Sequence, residues 1–329
     1  MSEPGDPPLA GHAPLPRFAV EVAPPDIGRW LAGNTGVPGF TTQVADTPGP
    51  HVLLVSLTHG NELAGAIVLD QLLRAGLRPS RGRLTLGFAN LAAFARFDPA
   101  HPTASRFVDE DLNRLWDPPT LAGSRQSNEL SRARQMRPLV DSADVLLDLH
   151  SMLWPSDPLI LCGETAKGRA LALATGTPPL VVADAGHVSG KRMIDYGRFV
   201  DPASPAVANL VEAGQHWQAD TVQTTLACVG GLLRQLNVAP ATDALPPARP
   251  LPSARSYAQV TTAVTAGTAS FAFVQPYRGG DIIARRNTLI ALDGDTEIRT
   301  PYDDCLLVMP SLRPSRGHTA VRLARLLSA

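Results

Sequence analysis

The chain has 329 residues, 44% apolar and 18% charged, enough to bury the core of one large domain plus a small one and too apolar for wholesale disorder. With 29 Lys+Arg against 30 Asp+Glu the net charge is -1, so neither nucleic acid nor a membrane surface is an expected partner. Cys162, Cys228 and Cys305 stand far apart with no CxxC pair, which argues against a disulfide framework and for reduced, structural thiols.

Residues 1–25 are rich in Pro and Gly and read as an irregular segment. They lack a basic stretch leading into an apolar one, and no apolar run in the chain approaches the roughly 18 residues of a membrane helix, so a cytoplasmic protein is expected. From His51 the pattern changes. HVLLVSL (51–57) predicts a strand, LAGAIVLDQLLRAG (63–76) a helix and RLTLGFAN (83–90) a second strand. Residues 127–140 read as helix and DVLLDLH (144–150) as a third strand. Strands at 158–162, 178–184 and 206–213 follow, then a helix over about 217–237. Continuous apolar strands alternating with helices predict an α/β fold: a three-layer α/β/α sandwich on a mostly parallel mixed sheet, spanning 26–238. Residues 239–256 hold five prolines and read as a linker. Beyond them, 257–329 predicts a small C-terminal all-β domain, with short strands broken by Gly, Pro and Asp.

Polar residues gather just past strand ends, where open α/β sheets place their sites. His59-Gly60-Asn61-Glu62 closes the first strand, and an H-x-x-E step there can aim an imidazole and a carboxylate at one metal ion. Taken alone, it also fits a helix-start acid beside a satisfied imidazole. His150 ends a buried strand and needs a partner, either a metal or a backbone carbonyl. Together His59, Glu62 and His150 make the His₂Glu set of a catalytic zinc site with a position left open. Asp148 shares the strand face of His150, as an acid supporting the site or as an ordinary buried acid. Arg106 and the run Asp111-Leu112-Asn113-Arg114 suit capture of a carboxylate, or surface ion pairing. Glu212, ending LVEA, fits a general base or an ion-paired acid.

The order of these signals is specific. THGNELAG (58–65), GFANLAAFARF (87–97), SRFVDEDLNRLW (105–116), LLDLHSM (146–152) and LVEAGQH (210–216) resemble the succinylglutamate desuccinylase/aspartoacylase family of the zinc carboxypeptidase superfamily. RGGDIIA (278–284) through CLLVMP (305–310) resembles that family's C-terminal β region. The resemblance implies a zinc hydrolase domain with one Zn²⁺ per chain on His59, Glu62 and His150, and Asp111 orienting His59. It further implies Arg106 on the reacting carbonyl oxygen, Asn113 and Arg114 on a substrate carboxylate, and Glu212 as base. The implied reaction is hydrolysis of a small N-acyl amino acid. The alternatives are a carboxypeptidase acting on peptides and a metal-binding protein without turnover; a homo-oligomer is compatible with all three. There is no G-x-S-x-G elbow for a serine hydrolase.

Two departures accompany the resemblance. Met309 stands where the aspartoacylases carry a Tyr that helps bind substrate. The arginine that reads a side-chain carboxylate has no certain counterpart, with Arg198 and Arg192 as candidates. His216 and Trp217 are candidates for the acyl pocket or for a structural role.

Overall fold

A computed structural model of the chain describes residues 17–187, 189–239, 244–247 and 256–327. The strands are β1 (Phe40–Val44), β2 (His51–Ser56), β3 (Arg83–Phe88), β4 (Val145–Met152), β5 (Leu159–Leu161), β6 (Leu180–Ala183) and β7 (Val207–Gln215), followed by β8 (Ser256–Thr265), β9 (Ala272–Phe273), β10 (Ile282–Ile283), β11 (Leu289–Asp293), β12 (Thr296–Arg299), β13 (Cys305–Val308) and β14 (Thr319–Leu327). The helices are α1 (Leu63–Arg74), α2 (Leu91–Phe94), α3 (Pro118–Ala122), α4 (Asn128–Ser142), α5 (Ala166–Thr175) and α6 (Ala219–Gln235). The strands and helices read from the apolar patterning before the linker are present with ends shifted by a few residues, whereas β1 and the ten-residue helix α5 are not anticipated by it. None of the helices described is long and apolar enough to cross a membrane.

Eleven strands form one mixed sheet in the order β1-β3-β2-β4-β7-β5-β6-β8-β14-β13-β10. The central strands β3, β2, β4 and β7 are mutually parallel. Both faces of these strands are covered, which is why their sequences read as unbroken apolar runs rather than alternating ones. Side chains of alternate parity enter separate cores. Val52, Leu54, Leu147, Leu149 and Val211 pack beneath α1 and α6, whereas Leu53, Val55, Leu146 and Leu210 pack with Leu130, Ala133 and Met136 of α4 on the other face. This is the three-layer sandwich. Cys162, Cys228 and Cys305 are free and buried.

The C-terminal region is all-β, as expected, yet it is joined edge to edge to the N-terminal α/β half. β8 runs parallel to β6 (Leu180↔Ser256, Val182↔Ala258), and β14, β13 and β10 extend the same sheet. Only β12, β11 and β9 form a second, three-stranded sheet. The two long strands that make the join, β8 and β14, are absent from the short strands read in the sequence. β8 is rich in Thr, Ala and Gln, and β14 mixes arginines with apolar residues, so neither gives a continuous apolar run. Most of the Pro-rich 239–256 stretch and residues 1–16 lie outside the described residues.

Candidate active site

β2, β4 and β7 run parallel, so their carboxyl ends open on one side, and the chemistry-bearing residues meet there. The chain leaves β2 through Leu57, held in the left-handed region at φ 56° while Asn90 N–H donates to its carbonyl at 2.7 Å. A tight turn follows, closed by Glu62 N–H donating to His59 O at 3.2 Å. Gly60 makes that turn possible: a Cβ there would lie 2.5 Å from the backbone of Ala93, Phe94 and Ser105. Its N–H instead donates to Arg106 O at 3.0 Å, pressing the turn against the loop that carries Arg106. The indole of Trp217 braces the far side by donating to Asn61 O at 3.0 Å.

Glu62 lies between two imidazoles. Its Oε1 is 2.6 Å from His59 Nδ1, and its Oε2 is 3.0 Å from His150 Nδ1 and accepts from Ser151 N–H at 3.0 Å. The outer ring nitrogens face acids: His59 Nε2 is 2.9 Å from Asp111 Oδ1, and His150 Nε2 is 2.8 Å from Asp148 Oδ2. Thr58 fixes Asp148 by donating its hydroxyl at 2.8 Å. Each imidazole therefore turns Nδ1 inward and Nε2 to a carboxylate, the arrangement that sets ring orientation and basicity in metal-binding histidines. One donor atom from each of His59, Glu62 and His150 lies within 4.8 Å of the others, and all three residues are buried. Burial alone would push the Glu62 carboxyl up, but the flanking imidazoles outweigh it and hold it well below the usual range. Asp111 is likewise held well below that range, with His59 and Arg106 overcoming burial. Four acids (Glu62, Asp111, Asp148 and Glu212) crowd two imidazoles and one guanidinium, and a dication suits both that charge and that donor set.

Glu212 sits directly across the ladder from His150. Its Oε2 is buried without a hydrogen-bond partner among the described residues, and burial pushes its pKa up to about 8. Arg106 Nη2 lies 2.9 Å from His59 Nε2 and 3.1 Å from Asp111 Oδ2, with the guanidinium partly open to the cleft. Asp111 also caps the short turn Leu112–Arg114, accepting from Asn113 N–H at 2.9 Å. The loop 106–111 has a second anchor that the sequence did not suggest. The buried Glu129 carboxylate, at the start of α4, accepts from Val108, Asp109 and Glu110 N–H at 2.6, 3.0 and 3.3 Å.

Residues 48–175 match the family model of the succinylglutamate desuccinylase/aspartoacylase catalytic domain. The chain resembles that family over the matched residues. It is 38% identical over 105 residues to a probable aspartoacylase of Parasynechococcus marenigrum, covering 30% of this chain and 33% of that protein. It is 30% identical over 176 residues to the succinylglutamate desuccinylase of Burkholderia orbicola, covering 52% of this chain and 48% of the relative. The alignments thus span between a third and a half of these curated relatives. The solved structure of a succinylglutamate desuccinylase from Vibrio cholerae superposes with a TM-score of 0.66 at 16% identity, covering 88% of this chain and 85% of that one, and shares the fold.

The remaining candidates separate. Asn113 is buried, with Nδ2 3.4 Å from His150 Nε2 and Oδ1 accepting from Met193 N–H at 2.8 Å, so both ends of its amide face protein. Arg114 donates to Asn113 O at 2.8 Å and places Nη2 3.0 Å from His187 Nε2. Arg198, expected at the substrate, is not at the site. It donates to Asp141 O at 3.0 Å and lies 3.6 Å from Asp144, at the amino end of the strand whose carboxyl end holds His150. The reason is topological: Arg198 precedes β7, and the loop leading into a parallel strand lies at the end of the sheet opposite its functional edge. Arg192 is buried in ion pairs with Asp184 (3.0 Å) and Asp195 (2.7 Å). His216 and Trp217 are buried, His216 Nδ1 lying 2.8 Å from Ser151 Oγ. Met309 is left-handed at φ 47° and packs against the core beneath β13.

Proposed function

We propose that the chain is a zinc-dependent deacylase that hydrolyses the amide bond of a small N-acyl amino acid. The observation that carries the reading is the pair of inward Nδ1 atoms on the two oxygens of Glu62, beside a Glu212 carboxyl oxygen left without a partner. Zinc on His59, Glu62 and His150 would supply Lewis acidity towards a carbonyl oxygen and a water of lowered pKa. Glu212 takes a proton from the attacking water and returns it to the leaving nitrogen, a shuttle that favours a carboxyl whose pKa lies near neutrality. Arg106 donates to the carbonyl oxygen as its charge grows. Arg114 grips the substrate carboxylate, and Asn113, tied to Met193 and His150, keeps that turn in place. The family-model match supports the reaction class, and the relatives' names suggest the substrate class.

Metal analysis of protein purified without chelator, together with turnover of an N-acyl amino acid panel beside a dipeptide panel, tests this. About one zinc per chain and release of free amino acid from the acyl panel are expected. Preference for dipeptides would favour a carboxypeptidase, and bound metal without turnover would favour a binding protein.

A further inference from the structure

The arginines of the site continue into a residue far along the chain. Arg322 on β14 faces Val308 of β13 across the ladder and is only 4% exposed. Its Nε lies 3.0 Å from Asp184 Oδ2 and its Nη2 lies 2.8 Å from His187 Nε2. Arg114 Nη2, from the turn beside Asp111, lies 3.0 Å from the same nitrogen. A neutral imidazole nitrogen has one lone pair and cannot satisfy two guanidinium N–H groups at once. Protonation offers no relief: burial, then Arg322 and Arg114, push the His187 pKa down to about 2. The nearby acids are shared with other arginines. Asp184 Oδ2 also holds Arg192 Nη1 at 3.0 Å, and Asp111 Oδ2 lies 3.8 Å from Arg114 but 3.1 Å from Arg106. Two largely buried guanidinium forks thus converge on one weak acceptor, an unfavourable arrangement that an anion between them would relieve. A carboxylate, with two oxygens matched to two forks, is the chemistry that fits.

We propose that Arg114, Arg322 and His187 form a carboxylate-binding subsite, with Arg322, supplied by the C-terminal β region, a specificity-determining residue. Only the identity of the substrate that bears the carboxylate rests on the deacylase reading. Gly190 supports the geometry: its φ is +147° and a Cβ there would lie 2.0 Å from Arg114 O, so Gly190 packs directly on the Arg114 backbone.

Two measurements on the full chain test the subsite. The first needs no turnover: calorimetric binding of succinate, with neutral succinamide as control. Arg322→Met is expected to weaken succinate binding by about tenfold or more, and Arg322→Lys, which retains a cation for Asp184, by less. The second is the ratio of kcat/KM for an N-acetyl amino acid to that for its primary amide. Because the ratio is internal to each variant, loss of folded protein cancels; it is expected to fall about tenfold in Arg322→Met, mainly through KM. Wild-type values of both quantities in the two variants would overturn the subsite, as would wild-type protein that neither binds succinate nor prefers acid to amide. If no N-acyl amino acid is turned over while succinate binding still depends on Arg322, the deacylase reading fails and the subsite stands.

Discussion

At the scale of single residues, Glu212 differs from the acids around it. Among the described residues no imidazole lies within ion-pair distance of its carboxyl and its Oε2 has no hydrogen-bond partner, while Asp111 and Asp148 lie 2.9 and 2.8 Å from an imidazole nitrogen. Glu212→Gln keeps size and removes only the ability to accept and return a proton. It should therefore retain the metal and lose turnover by about 100- to 10,000-fold, read as kcat beside metal content on the same preparation. Asp148→Asn should do the reverse, lowering metal affinity by about 10- to 100-fold because His150 Nε2 loses its carboxylate, as a competition titration with a chelating dye would show. His187 makes a prediction about pH. Its folded pKa is lowered from 6.5 to about 2, so between those values the unfolded chain binds a proton that the folded chain excludes. The contribution to stability is complete above about pH 6.5 and declines as pH falls towards 2. Urea midpoints followed from pH 7 to pH 4 should drop less in His187→Asn than in the wild type; equal slopes would remove this assignment.

Among the elements, the start of α4 matters more for the site than its distance from the zinc candidates suggests. Glu129 satisfies three consecutive backbone N–H groups in the loop that presents Arg106 and Asp111. Glu129→Ala leaves those part-buried donors without their acceptor and should cost about 1–3 kcal/mol, visible in the denaturation midpoint, with turnover falling further than the folded fraction. Nothing in the local sequence announces this role, since an acid in the first turn of a helix has a sufficient reason to be there. The metal candidates were readable for the opposite reason. His59 and Glu62 share one turn, and Asp148 and His150 share one strand face, so a short window contains the geometry. Glu212 was readable from its place at the end of an apolar run. Arg198 was misplaced because nearness in sequence to Glu212 ignores which end of the strand a loop occupies. His187 and Arg322 went unseen because their meeting depends on the pairing of β14 with β13, a long-range ladder that no local pattern encodes.

For the molecule as a whole, the joined sheet and the candidate metal centre make separable predictions. If a divalent ion binds the folded His59, Glu62 and His150 and not the unfolded chain, added zinc raises the melting temperature and a chelator lowers it, with turnover following. A melting temperature indifferent to both would count against a tightly held metal. Cutting the chain after residue 255 would leave the edge of β6 unpaired along Leu180–Ala183, where β8 now lies. The truncated protein should aggregate rather than survive as a working catalytic half, which size-exclusion chromatography would reveal. Arg322 adds a further consequence. Side chains alternate across a strand, so sliding β14 by one position against β13 would present Val321 or Leu323, both aliphatic, in its place. What this protein can discriminate is therefore written partly in the alignment of a distant ladder, and grafting cleft loops from a relative would not by itself carry that discrimination across.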